Sequence, residues 1–167
     1  MIRTIDNLLH LKEFKAIEQN LLEAPIYKTF ESTAYKQSDN IYDVMVARVL
    51  FSANCKVAPP GYDDKLLPYI YPVLELIGAK ALLRAQLNVT FATPKAEISE
   101  PHIDTDIPCK VCILYLNTNN GGTKFTESGE FVESVRNRAV LFPSNVYHSA
   151  INTTDTKFRY VLNINYF

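Results

Sequence analysis

His102 and Asp104 stand two residues apart in Glu100-Pro101-His102-Ile103-Asp104, and on an extended backbone that spacing sends both side chains to one face. His148 follows forty-four residues after Asp104, in Phe142-Pro143-Ser144-Asn145-Val146-Tyr147-His148. Two imidazoles and one carboxylate cover one face of an octahedron and leave three positions open. That set suits a non-haem Fe(II) that must take further ligands. The same donors plus a water also suit Zn²⁺ and hydrolysis. A His-x-Asp arises by chance in about one chain in seven of this composition, so order and spacing carry the argument. Arg159, eleven residues beyond His148, adds a guanidinium to the group. The third histidine, His10, has no carboxylate spaced to join it and reads as a solvated helix residue.

The elements that must position these groups follow from periodicity. Leu8, Leu11, Phe14, Ile17 and Leu21 recur at helical spacing, with Thr4 or Asp6 as a cap and Pro25 at the exit. A second helical run covers Pro68 to Ile77 and stops at Gly78. Residues 41–51 are apolar and β-branched, and read as a strand. Otherwise the first 80 or so residues form a helical support region, and about 81–167 form the core of a single domain.

From residue 84 the period is two. Ala85, Leu87, Val89 and Phe91 alternate with Arg84, Gln86, Asn88 and Thr90. Strand-like runs follow at 110–117, 122–125, 130–135, 138–143, 146–152 and 158–167, separated by Asn119-Asn120-Gly121-Gly122, Ser128-Gly129 and Thr153-Thr154-Asp155. Seven short strands after a helical lead-in predict a mostly β fold, a jelly roll with helices packed on one sheet. In the last strand, Phe158, Tyr160, Leu162, Ile164 and Tyr166 take one side, while Arg159, Val161, Asn163 and Asn165 take the other. An arginine and two asparagines facing a barrel interior are a poor core, because a buried guanidinium needs an anion or hydrogen-bonded partners.

Composition narrows the classes. The chain has 167 residues, 47% hydrophobic and 21% charged, which is globular. A net charge of −1 gives no field for coating a phosphate backbone, so nonspecific nucleic-acid binding is not expected; Arg136 and Arg138 are a local basic pair. No apolar stretch is long enough to span a bilayer and the first residues lack a secretion-signal pattern, so the expected location is cytoplasmic. Three cysteines make no disulfide framework. Cys109-Lys-Val-Cys112 has knuckle spacing, but residues three apart in a strand face opposite ways and no second pair completes a site. Core packing is their expected role.

The stretches 100–104, 112–117, 117–125, 137–142 and 148–167, about half the chain, resemble the Fe(II)/2-oxoglutarate-dependent oxygenases. The likeness is to the prolyl-hydroxylase-type branch, and to small oxygenases of tailed phages of marine bacteria. The resemblance implies a double-stranded β-helix with Fe(II), 2-oxoglutarate and O2 as cofactor and cosubstrates. It further implies hydroxylation of a peptide or protein side chain, prolyl among them, with 2-oxoglutarate decarboxylated to succinate. His102, Asp104 and His148 would bind the iron. Arg159 would pair bidentately with the 2-oxoglutarate C5 carboxylate, a task suited to a planar guanidinium. Tyr115 falls where that branch places a tyrosine whose hydroxyl shares this carboxylate. The branch often carries a tyrosine on the strand before His-x-Asp; that strand here offers Asn88, the candidate for the keto-acid end. The interval from His148 to Arg159 is about two residues longer than usual, an even shift that preserves the strand face. Two other readings stand beside this one: a zinc-dependent hydrolase, which lacks a nominated general base, and a non-catalytic jelly-roll binding module.

Overall fold

The structure, a computed structural model, describes residues 1–22, 29–31, 44–53 and 64–167. Among these residues the larger sheet has seven antiparallel strands in the order β1-β8-β5-β10-β4-β3-β2. The strands are β1 (Arg3–Ile5), β2 (Thr29–Glu31), β3 (Met45–Ser52), β4 (Leu82–Phe91), β5 (Lys110–Tyr115), β8 (Ala139–Pro143) and β10 (Phe158–Tyr166). A smaller sheet, in the order β7-β6-β9, is made of β6 (Gly122–Phe125), β7 (Phe131–Glu133) and β9 (His148–Ile151). The two sheets form the expected jelly roll, and all seven predicted strands from residue 84 onward are present.

The period-two reading fixes which way β4 and β10 face. They pair with Arg159 opposite Thr90, Val161 opposite Asn88 and Asn163 opposite Gln86. Ala85, Leu87, Val89, Leu162, Ile164 and Tyr166 thereby join a core under α1 (Leu11–Leu22), from which Phe14, Ile17 and Leu21 project. Each fully buried leucine or phenylalanine there contributes about 1.5–3 kcal/mol. The opposite face meets the small sheet through Val111, Ile113, Tyr115, Phe125, Val132, Val140, Phe142 and Val161. Between the sheets the polar side chains of β4 and β10 are left pointing inward.

The strand expected over 41–51 is present as β3, beside β4, whereas β1, which pairs with β8, and β2, which pairs with β3, correct the helical reading of the first 80 residues. β1 is too short to show a period, and β3 is buried on both faces, so its apolar residues do not alternate and Arg48 is buried among them. The helix starts at Leu11 and is not capped by Thr4 or Asp6: Thr4 sits in β1, and Asn7 at φ 50° turns the chain first. The proposed exit at Pro25 lies outside the described residues. The second run divides into a 3₁₀ segment (Asp64–Ile70) and α2 (Tyr71–Leu76), with Pro72 in its first turn, where a missing N–H costs nothing. Gly78 stops it as expected, at φ 68°. Its N–H bonds the Glu75 carbonyl, and that of Ala79 bonds the Leu74 carbonyl.

The local basic pair is committed to holding the N-terminal elements. Arg136 pairs with Glu18 on α1 and lies over the Phe14 ring at 4.5 Å, while Arg138 Nε donates to Asp6 Oδ1 at 2.5 Å. Cys112 is fully buried in the helix-side core, where burial pushes its thiol up to about 12. Cys109 is half-buried and not bonded to it. His10 is exposed, as expected.

Gly122 opens β6 rather than merely turning the chain. A Cβ there would sit 2.3 Å from the Val132 carbonyl oxygen and 2.6 Å from the Phe131 ring. The Gly122→Ala variant is therefore expected to lose about 1–3 kcal/mol through overpacking against β7. Urea denaturation checks this, and an unchanged midpoint would contradict the packing described.

Candidate metal centre and adjoining cavity

His102 and His148 face each other across an antiparallel bridge in which each N–H donates to the other's carbonyl at 3.0 Å. Directly opposed residues project to one side, which brings the two imidazole centroids to 4.7 Å. Phe142 packs edge-on against His148 at 4.9 Å and restricts its ring. The Nδ1 atoms of His102 and His148 lie 3.2 Å from the Glu100 carbonyl oxygen and 3.1 Å from the Val146 carbonyl oxygen. A carbonyl only accepts, so both rings donate from Nδ1 and leave Nε2 facing inward.

Asp104 completes the group, with the three ligand atoms all within 4.8 Å of one another. Its Oδ2 accepts from Asn163 Nδ2 at 3.0 Å and from Asn165 Nδ2 at 3.1 Å. Its Oδ1 is buried without a hydrogen bond, 3.8 Å from His148 Nε2 and 3.6 Å from Arg84 Nη2. Burial acts to raise the Asp104 pKa, but His148, Arg84 and the two carboxamides outweigh it and hold the carboxyl below its ordinary value. Burial and the neighbouring His148 lower the pKa of His102. An ionised carboxylate with an orphaned oxygen, beside a neutral imidazole, is a donor set that a divalent cation fits.

Beside these ligands lies a cavity walled by Met45, Asn88, Thr90, His102, Ile113, Thr123, His148, Ala150, Arg159, Val161 and Asn163. Arg159 is 3% exposed and sends Nε to Ser134 Oγ at 3.0 Å and Nη2 to Thr123 Oγ1 at 3.3 Å. Burial lowers its pKa, and among the described residues no carboxylate pairs with it. The Thr90 hydroxyl and the Asn163 Oδ1 are buried without partners on the same lining. Asn88 accepts from Gln86 Nε2 at 2.8 Å through its carbonyl, and its amide nitrogen makes no hydrogen bond among the described residues.

His102, His148, Asn88 and Arg159 thus line one cavity, and Asp104 is grouped with the two histidines beside it. Tyr115 is placed differently. It is fully buried behind Arg159, whose guanidinium lies 5.5 Å from its ring centroid. Its hydroxyl bonds Thr123 Oγ1 at 2.9 Å and lies 3.2 Å from the Val132 carbonyl oxygen. The hydroxyl on the cavity wall at this position is that of Thr123. Sequence reasoning missed Thr123 and Ser134, which reach Arg159 from 36 and 25 residues away and carry no local signal. It also missed the bonds from Asn163 and Asn165 to Asp104, although the odd polar face of β10 pointed to them.

No protein-family model and no curated protein sequence matches the chain. Solved structures do. A prolyl hydroxylase from Trichoplax adhaerens, in complex with a hypoxia inducible factor oxygen degradation domain peptide fragment, superposes with a TM-score of 0.69 at 15% identity. That match covers 99% of this chain and 83% of the other. A 2OG-Fe(II) oxygenase family oxidoreductase from Burkholderia pseudomallei gives 0.70 at 11% identity over 99% and 84% of the two chains. The viral collagen prolyl hydroxylase of Paramecium Bursaria Chlorella virus-1 gives 0.58 at 10% over 98% and 94%. The chain has the jelly-roll fold of the 2-oxoglutarate/Fe(II) oxygenases, with a His-Asp-His group at its centre.

Proposed function

We propose that this chain is an Fe(II)- and 2-oxoglutarate-dependent dioxygenase that hydroxylates a peptidyl side chain, with proline the first residue to test. One observation carries the reading. A single cavity has His102 and His148 on one wall, with Asp104 beside them, and on another wall a buried guanidinium that no described carboxylate neutralises. A short dicarboxylate that reaches from a metal to Arg159 satisfies both ends at once.

When bound, the iron and 2-oxoglutarate supply the oxidising chemistry, consuming O2 and releasing succinate and CO2. The protein's part is placement. His102 and His148 hold the cation through Nε2 and Asp104 through a carboxylate oxygen. Arg159 receives the C5 carboxylate, with the Thr123 hydroxyl beside it and the Tyr115 ring behind. Asn88 offers its free amide nitrogen to the polar end of the keto acid. Met45, Ile113 and Val161 keep that part of the cavity apolar and limit water. No side chain has to act as an acid or base. The hydrolase reading gives Arg159 no task.

The peptide substrate is supported by the solved structures this chain resembles: three are prolyl hydroxylases, and one of these is in complex with a peptide fragment. The test is turnover with Fe(II), 2-oxoglutarate and a set of proline-containing peptides. The expected result is succinate formed in step with a product heavier by one oxygen atom. Succinate release that no peptide or protein extract stimulates would overturn the substrate class, and its complete absence would overturn the enzymatic reading.

A further inference from the structure

Asn163 and Asn165 stand two apart on β10, so both carboxamides reach the same side of the strand, and both donate to the same atom, Asp104 Oδ2. The other oxygen, Oδ1, is left with no hydrogen bond although it is buried, and it lies 3.8 Å from His148 Nε2 and 3.6 Å from Arg84 Nη2. The asymmetry is held from behind. Arg84 Nε donates to Asn165 Oδ1 at 3.0 Å, which fixes that amide with its oxygen toward the guanidinium and its NH2 toward the carboxylate.

An aspartate carboxylate rotates about a broad, two-fold torsion. Unheld, it is free to turn both oxygens to a divalent cation and take two coordination positions. With Oδ2 already accepting two hydrogen bonds, rotation breaks both, and each bond to a charged acceptor is a strong one. Neutral amides do this without adding positive charge to that of Arg84, whose Nη2 lies 3.6 Å from Oδ1.

Resting on the metal-centre reading above, we propose that Asn163 and Asn165 are positioning residues that lock Asp104 so that Oδ1 alone is offered to the cation, keeping a coordination position open for an incoming ligand. The alternative is a structural role only, in which the two amides merely satisfy a buried carboxylate.

Co(II) is the probe, because its visible spectrum reports coordination number without turnover or 2-oxoglutarate. The full-length metal-free chain is compared with Asn163→Ala, Asn165→Ala and the double variant, using a competing indicator for affinity. The expected result is a Kd for Co(II) raised about tenfold in each single variant and about a hundredfold in the double, the range for lost outer partners. The cobalt-saturated variants are also expected to show a spectrum of altered coordination. Should the double variant not fold, the single variants, each retaining one amide on Oδ2, carry the test. Lower melting temperatures with parental Kd and spectrum would overturn the proposal and leave the structural role. A parent chain that binds no Co(II) would overturn the metal-centre reading itself, and the proposal with it.

Discussion

Arg159→Met is expected to separate cosubstrate binding from stability. Removing one partner of a buried, hydrogen-bonded charge pair costs about 2–5 kcal/mol, so affinity for 2-oxoglutarate should fall by about thirtyfold at least. The ligand-free protein should respond in the opposite sense. Arg159 is buried with two hydroxyls and an aromatic ring for company and with no described carboxylate to balance it. Replacing such a charge with an apolar side chain of similar length is neutral or stabilising. The variant should therefore melt no lower than the parent, and 2-oxoglutarate, which raises the parent's melting temperature by mass action, should leave the variant's unmoved. Arg159→Lys keeps the charge and loses the planar fork, and should fall between the two. Calorimetric titration and thermal melts check all three. A variant that binds 2-oxoglutarate like the parent would remove the main support for the dicarboxylate reading.

The second large effect concerns Asp104. Asp104→Ala removes a metal ligand, and the loss in Fe(II) or Co(II) affinity should exceed the hundredfold that loss of an outer partner costs. It should also destabilise the metal-free protein, because the Asn163 and Asn165 carboxamides lose their common acceptor. Each stranded buried donor costs about 1–3 kcal/mol. His148→Ala is the informative contrast. It loses a ligand as well, but its ring nitrogen bonds only the Val146 carbonyl two residues away, so less of the surrounding network is broken. Metal affinity should collapse in both variants while the melting temperature falls further for Asp104→Ala. Equal melting temperatures would show that the network around the carboxylate is weaker than its geometry indicates.

How far the sequence disclosed this arrangement depends on the range of each contact. β4 and β10 alternate over nine or ten residues, long enough for the period to name both faces before any partner strand is known. The clustering of His102, Asp104 and His148 was legible in part: local spacing puts the first two on one face, whereas His148 was joined to them by the resemblance. β1 was not, since three residues carry no period and its pairing with β8 spans most of the chain. Nor were Thr123 and Ser134, ordinary small polar residues until the sheets close and bring them to Arg159. Tyr115 shows the limit of placing a residue by strand position. The register puts it beside Arg159, but the packing of Thr123 and Val132 decides where its hydroxyl goes. Asn163 and Asn165 lie between these cases. Their face was readable and their inward direction anomalous, yet the acceptor that explains them lies some sixty residues earlier in the chain.

The most direct test of the central claim is an anaerobic titration of the metal-free protein with Fe(II) and then 2-oxoglutarate, followed by visible absorption. A keto acid chelating protein-bound Fe(II) produces a metal-to-ligand charge-transfer band, and no substrate is needed to see it. A saturable band with one 2-oxoglutarate per chain is expected, weakened in Arg159→Met at moderate 2-oxoglutarate and absent in His102→Ala at any concentration. No band from a protein that nevertheless binds Zn²⁺ tightly through the same three residues would contradict that claim.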